Sequence, residues 1–80
     1  MSMICSMTEM KLGERGTVVR LQVKDSLKRR LQDIGLIEGC QLECALQSPG
    51  KDPMAYWIRG ALIALRNEDC ENILLKKEDD

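Results

Sequence analysis

Cys5, Cys40, Cys44 and Cys70 are the side chains best suited to a soft metal or a disulfide in this 80-residue chain, which contains no histidine. Cys40 and Cys44 lie in the run CQLECALQ, where Cys40, Leu42, Cys44 and Leu46 alternate with Gln41, Glu43, Ala45 and Gln47. That alternation marks a half-buried strand with both cysteines on its apolar face. Four strand residues span about 13 Å, taking ~3.3 Å per residue. A disulfide needs Cα atoms within ~7 Å, and ligands of one tetrahedral ion must be similarly close. The pair therefore reads as small core hydrophobes. Cys5 and Cys70 are isolated in sequence and would stay reduced in a cytosol. Met1, Met3, Cys5 and Met7 offer thioether and thiolate donors of the kind Cu(I) accepts. They fall in residues 1–8, however, which read as a flexible N-terminal tail. Glu68, Asp69 and Glu71 serve a helix start more simply than a metal site. No HExxH, GxGxxG or GxxxxGK run is present, and the commonest general base is missing. The expectation is a protein that is not an enzyme, with no metal site and no cofactor.

Two other groups could build a binding surface. Lys24, Lys28, Arg29 and Arg30 belong to a basic stretch, since residues 11–30 carry seven basic and two acidic side chains while residues 31–80 carry five and ten. A molecule so divided has a basic face, although the whole chain balances 12 Lys and Arg against 13 Asp and Glu. The second group surrounds Trp57, which with Tyr56 completes the aromatic inventory. Broad nucleic-acid affinity is not expected, because it needs a basic domain and several stacking aromatics.

The elements that must position these groups are short. A hydrophobic fraction of 44% suits a folded globular chain, and the length suits one domain. No apolar run approaches the roughly 18 residues of a membrane span, and MSMICSM lacks the basic start of a secretory signal. The chain is expected to be cytoplasmic. Residues 16–23 (GTVVRLQV) predict a first strand. Asp25 or Ser26 then caps a helix with Leu27, Leu31 and Ile34 on one face and an Asp25–Arg29 pair one turn apart. Gly35 reads as its left-handed stop, with Leu36 supplying the apolar contact of a Schellman motif. Residues 40–47 give the next strand, and SPGKDP a loop. Residues 54–59 and 62–66 predict a hairpin around Gly60-Ala61 as a type II′ turn, with Arg59 opposite Leu62 and Trp57 opposite Ala64. One helical turn over 67–71 and a strand over 73–75 follow. The sum is a mainly β fold with short helices, a small five-stranded barrel with one helix inserted after the first strand. A domain over 9–76 lies between the tail of residues 1–8 and an acidic tail over 77–80.

In that hairpin Met54, Tyr56, Ile58, Ala61, Ile63 and Leu65 face inward. Ala55, Trp57, Arg59, Leu62, Ala64 and Arg66 face outward. An apolar patch of Trp57 and Leu62 edged by Arg59 and Arg66 suits a protein partner, because Trp and Arg lead among interface hot spots. The same patch could join two copies of the chain as a weak homodimer. Alternatively, Trp57 is covered by residues 7–12 or stacks under Arg66. Lys28, Arg29 and Arg30 could meet an acidic protein surface or anionic headgroups at a membrane, or simply form a solvated helix face.

The ordered set KRRLQDIGLIEGCQLE (residues 28–43) and SPGKDPMAYWIRGALIALRNEDCENILL (48–75) resembles the ferrous iron transport protein A (FeoA) family. Its marks are the arginine-rich helix ending in Gly35-Leu36, the Gly39 turn, Asp52-Pro53 before a strand, Arg59-Gly60, and residues 64–66. The resemblance covers roughly residues 10–76. Glu38 stands where the family usually has proline, and Trp57 where a polar residue is commoner. The resemblance implies an SH3-like barrel. It also implies a small cytosolic accessory of the FeoB-type ferrous iron permease, acting by contact with the permease's cytosolic, GTPase-bearing region. The same fold implies a rival reading, a stand-alone peptide-binding module of the iron-dependent repressor type. A nucleic-acid-binding small barrel is a further alternative.

Overall fold

Strand-forming runs broken by glycine turns set the architecture. The computed structural model describes residues 3–78. In chain order it contains β1 (Ile4–Ser6), a 3₁₀ turn (Met7–Glu9), β2 (Arg15–Leu21), α1 (Asp25–Asp33), β3 (Gln41–Gln47), β4 (Met54–Ile58), β5 (Ala61–Leu65), α2 (Asn67–Cys70) and β6 (Ile73–Lys77). All six strands join one antiparallel sheet in the order β1-β6-β2-β3-β4-β5. Register shifts between Val18 and Arg20 and between Cys44 and Leu46 bend β2 and β3, as bulges do by adding local twist.

The core is aliphatic and sulfur-rich. Met7, Leu36, Cys44, Tyr56, Ile58, Cys70, Ile73 and Leu75 are fully buried. Period-two burial is clearest in β4, where Met54, Tyr56 and Ile58 point inward and Trp57 points out. Cys40 and Cys44 occupy the core, as their alternation with polar neighbours requires. Leu46, expected on the same face, is 56% exposed because the bulge after Cys44 carries it outward. Gly16 packs so closely that a Cβ there would meet the Lys76 carbonyl oxygen at 3.1 Å.

Helix α1 ends as its sequence predicts. The Leu36 N–H donates to the Leu31 carbonyl at 2.9 Å and the Gly35 N–H to the Gln32 carbonyl at 3.0 Å, with Gly35 at φ 96°. This is a Schellman motif, and its two apolar partners, Leu31 and Leu36, are both buried. Its start differs. Lys24 holds the N-cap position without a side-chain bond, and Asp25 lies inside the first turn. Among the described residues the ion pairs are Arg15–Glu43, Arg15–Glu78 and Lys77–Glu14, so the Asp25–Arg29 pair does not form.

Two further expectations are corrected. Residues 4–8 are not a free tail: Ile4, Cys5 and Ser6 pair with Lys76, Leu75 and Leu74, adding a sixth strand, and Met7 is core. Ser6 and Glu9 close a reciprocal capping box around the 3₁₀ turn, and Ser6 Oγ donates to the Glu71 carbonyl at 2.9 Å. Met1 and Ser2 lie outside the described residues. At the other end Lys77 belongs to β6 rather than to a tail, and the Glu78 N–H donates to the Arg15 carbonyl at 3.0 Å; Asp79 and Asp80 lie outside the described residues. The hairpin is the second correction. Ile58 faces Ala61, Trp57 faces Leu62 and Tyr56 faces Ile63. The turn is therefore Arg59-Gly60, with φ values of 50° and 83°. Two successive positive φ values make a type I′ turn, whose twist matches that of the strands it joins. The shift is by two residues, so inward and outward assignments survive, except that Ala61, expected inward, is exposed beside the turn.

Candidate partner-binding surface

Strand β4 carries Trp57 to the outer face of the sheet, 45% exposed, directly opposite Leu62, also 45% exposed. Ala55 and Ala64 form the next cross-strand pair, and Glu43 of β3 lies on the other flank of Trp57. Of residues 7–12, expected as one possible cover for Trp57, Met7 and Met10 are buried in the core and Leu12 is 60% exposed, and Trp57 itself stays 45% exposed. A shallow cleft of about 270 Å³ runs beside the indole, lined by Arg15, Glu43, Trp57, Arg59 and Glu78 among others. Arg15 spans it, 4.0 Å from Glu43 and 3.9 Å from Glu78. These pairs are solvent-exposed and contribute little stability, but they hold charge beside the indole.

Arg59 does something the sequence did not announce. As a turn residue it sends its side chain across Gly35, where Cδ fills the space a Cβ would need and Nε lies 3.5 Å from that point. A cation is thereby set at the C-terminal end of α1, where unpaired carbonyls favour positive charge. The contact sets the β4–β5 turn against the C-terminal stop of α1. On that helix Arg29 and Arg30 are exposed and Lys28 is half-buried. None of the three forms an ion pair among the described residues. Arg66 is exposed and serves as the N-cap residue of α2, its carbonyl accepting from the Asp69 N–H at 3.0 Å. It follows the Met54–Leu65 pair that ends the hairpin, whereas Trp57 pairs with Leu62 nearer the turn. The positive φ at Arg59 is what sequence reasoning missed; Gly60 signalled a turn but not its first residue.

Burial favours the neutral forms of Cys44, Tyr56 and Cys70. Burial, then Asp69 and Asp52, push the Cys70 thiol up to about 12. Burial likewise raises Cys44, and raises Cys5 despite nearby Lys77. Tyr56 is raised by burial first and by Cys70 and Cys44 second, and its hydroxyl donates to the Met7 carbonyl at 3.5 Å. Among the described residues no three Cys, Asp or Glu side chains are grouped to hold a metal ion. The surface presents one indole, an aliphatic neighbour opposite it and exposed arginines at the ends of the hairpin strands.

Comparison with known proteins places this geometry among relatives. The family model described as FeoA domain matches residues 5–77. A Porphyromonas gingivalis protein described as an Fe(2+) transport protein A/Fe(2+) transporter FeoB fusion is 25% identical over 67 residues, 84% of this chain. The chain spans only 8% of that protein's length. The solution structure of the FeoA protein from Chlorobium tepidum superposes with a TM-score of 0.84 at 29% identity, covering 90% of this chain and 69% of that one. The zinc complex of Stenotrophomonas maltophilia FeoA, described as a prokaryotic SH3 domain protein, gives 0.76 at 22% identity over 88% and 87% of the two chains. The last likeness shows the fold, and the six-stranded sheet is SH3-like.

Proposed function

Because the chain belongs to the FeoA domain family, we propose that it is a non-catalytic cytoplasmic accessory of ferrous iron uptake. It acts by docking on the cytosolic, GTPase-bearing region of an FeoB-type permease. Supporting the link is the relative in which an Fe(2+) transport protein A and an FeoB transporter form one fused chain. The observation that carries the docking mode is the exposed Trp57–Leu62 pair beside the charged cleft. An exposed indole is a large apolar area to leave in water, and covering it is a strong source of binding energy. Arg59 and Arg66 flank the patch, while Lys28, Arg29 and Arg30 extend it along α1 toward an acidic surface on the partner.

A titration of isotope-labelled protein with the cytosolic region of the permease tests this reading. The Trp57 indole signal is expected to shift, with the Arg29 and Arg30 amides reporting whether the helix takes part. Trp57→Ala is expected to weaken binding by at least about 2 kcal/mol, the hot-spot scale. Unchanged affinity in a folded Trp57→Ala protein would sink the proposal.

A further inference from the structure

Strand β5 ends the sheet, paired with β4 on one side and, among the described residues, with no strand on the other. Its hydrogen-bonding directions follow from the turn. In a two-residue type I′ hairpin the pair that closes the loop, here Ile58 and Ala61, exchanges both backbone bonds, and bonded pairs then alternate. Ala61, Ile63 and Leu65 therefore direct their N–H and C=O groups to β4, and Leu62 and Ala64 direct theirs away. Among the described residues no turn or side-chain hydrogen bond reaches Leu62 or Ala64. Exposed edges are ordinarily blunted by charge, proline, a bulge or brevity. β5 is ALIAL, five uncharged residues in an unbroken register with β4.

Charge stands only at its two ends, where Arg59 and Arg66 are exposed and in no ion pair among the described residues. This pattern discriminates between occupants. Antiparallel pairing of β5 with a second copy about Ile63 would set the Arg66 of each copy opposite the Gly60 of the other, one residue from its Arg59, and so crowd like charges at both ends. A segment with carboxylates at its ends meets the same arginines favourably.

We propose that β5 is a strand-addition site that receives an extended partner segment with an uncharged, alternating centre and acidic ends. Leu62 and Ala64 supply two backbone donors and two acceptors. Side chains of the added strand on the outer face meet Leu62 and, beyond it, Trp57. The inference deepens the docking reading above, since it names the kind of segment the permease would present.

The probe is a capped synthetic peptide, Glu-Val-Thr-Val-Thr-Val-Glu, with amide hydrogen exchange as the readout. Saturating peptide is expected to slow exchange at Leu62 and Ala64 by about tenfold or more, while Ala61, Ile63 and Leu65, already bonded to β4, change little. A lysine-ended peptide and one N-methylated along its bonding edge are expected to give no protection. Ala64→Lys, which leaves the β4 register intact, is expected to weaken peptide binding. Equal protection by the lysine-ended peptide would overturn the proposal. So would protection that rises with protein concentration alone, the mark of self-pairing. The permease region separates the two readings. If it binds and shifts Trp57 without protecting Leu62 and Ala64, strand addition is wrong and docking stands. If the peptide protects both amides but the permease region does not bind, strand addition stands and the permease reading falls.

Discussion

At one end of the sheet, β6 is covered by β1, and β1 is tied down in turn by the Ser6–Glu9 capping box and the Ser6 bond to Glu71. The Lys77–Glu14 pair, 3.1 Å apart, closes the same end. At the other end β5 has five uncharged residues and, among the described residues, no strand paired to its outer edge. Both strands are short and both follow from the same chain economy, yet only one is finished with polar bonds. The difference teaches that an edge is guarded by what surrounds it in sequence. Ser6 and Glu9 supply side chains that accept from local backbone N–H groups, and Thr8 adds a hydroxyl contact to Ser6, whereas ALIAL supplies none.

Four measurements would break or sharpen this contrast. Met7→Ala has the largest expected effect, a loss of about 2–5 kcal/mol in urea unfolding, the usual range for emptying a core methionine site. A value inside about ±0.5 kcal/mol, normal for an exposed residue, would make the closed end a loose flap. Gly35→Ala comes next at about 2 kcal/mol, because φ is 96° and Arg59 Cδ occupies the Cβ site. Repeating it in an Arg59→Ala background should recover the steric share and leave the backbone share. If the loss is unchanged, the hairpin turn is not braced against α1. Ser6→Ala should cost about 1 kcal/mol through the lost cap, with faster exchange confined to the β1 end.

The smallest effect is electrostatic. The Lys11 backbone N–H at 2.6 Å, and then Lys77, hold the Glu14 carboxyl below its ordinary 4.5. Glu14 in turn raises Lys77 above 10.5. A depressed carboxyl stabilises the fold above its unfolded value and loses that contribution as pH falls through the folded one. A raised ammonium loses its contribution as pH rises. Thermal melts should therefore show a shallow loss below pH 4.5 and another above 10.5. Glu14→Gln should flatten the acid limb, and an unaltered limb would remove the pair from the list of supports at the closed end.

Much of this was legible in the residues. Gly35-Leu36 announced a Schellman stop because only a left-handed residue followed by an apolar one closes a helix that way. CQLECALQ announced a strand with buried cysteines because its period two holds from Cys40 to Cys44, although the bulge beyond Cys44 breaks it at Leu46. β1 was not legible, since three residues, ICS, carry no period, and its pairing depends on a strand at the far end of the chain. The hairpin shift has another cause. Gly60 fits the first position of a type II′ turn and the second position of a type I′ turn equally well, and Arg59 at φ 50° carries no local signature. The outward assignment of Trp57 survived because a shift of two preserves parity. The meeting of Arg59 with Gly35 depends on tertiary packing and had no sequence signal.

The bond from Ser6 to Glu71 closes a loop of 65 residues. Among the described residues β1 pairs only with β6, so on a ribosome β1 is made well before its partner and must wait for it. Until β6 emerges, Met7 has no finished core to enter and the nascent domain exposes a second sticky margin. Such long-range closure slows folding. It also brings Ile4 and Lys76 side by side, so a short tether between them could be cut open elsewhere, at the Ser48–Pro53 loop for instance, to give a permuted chain whose first strand is closed early.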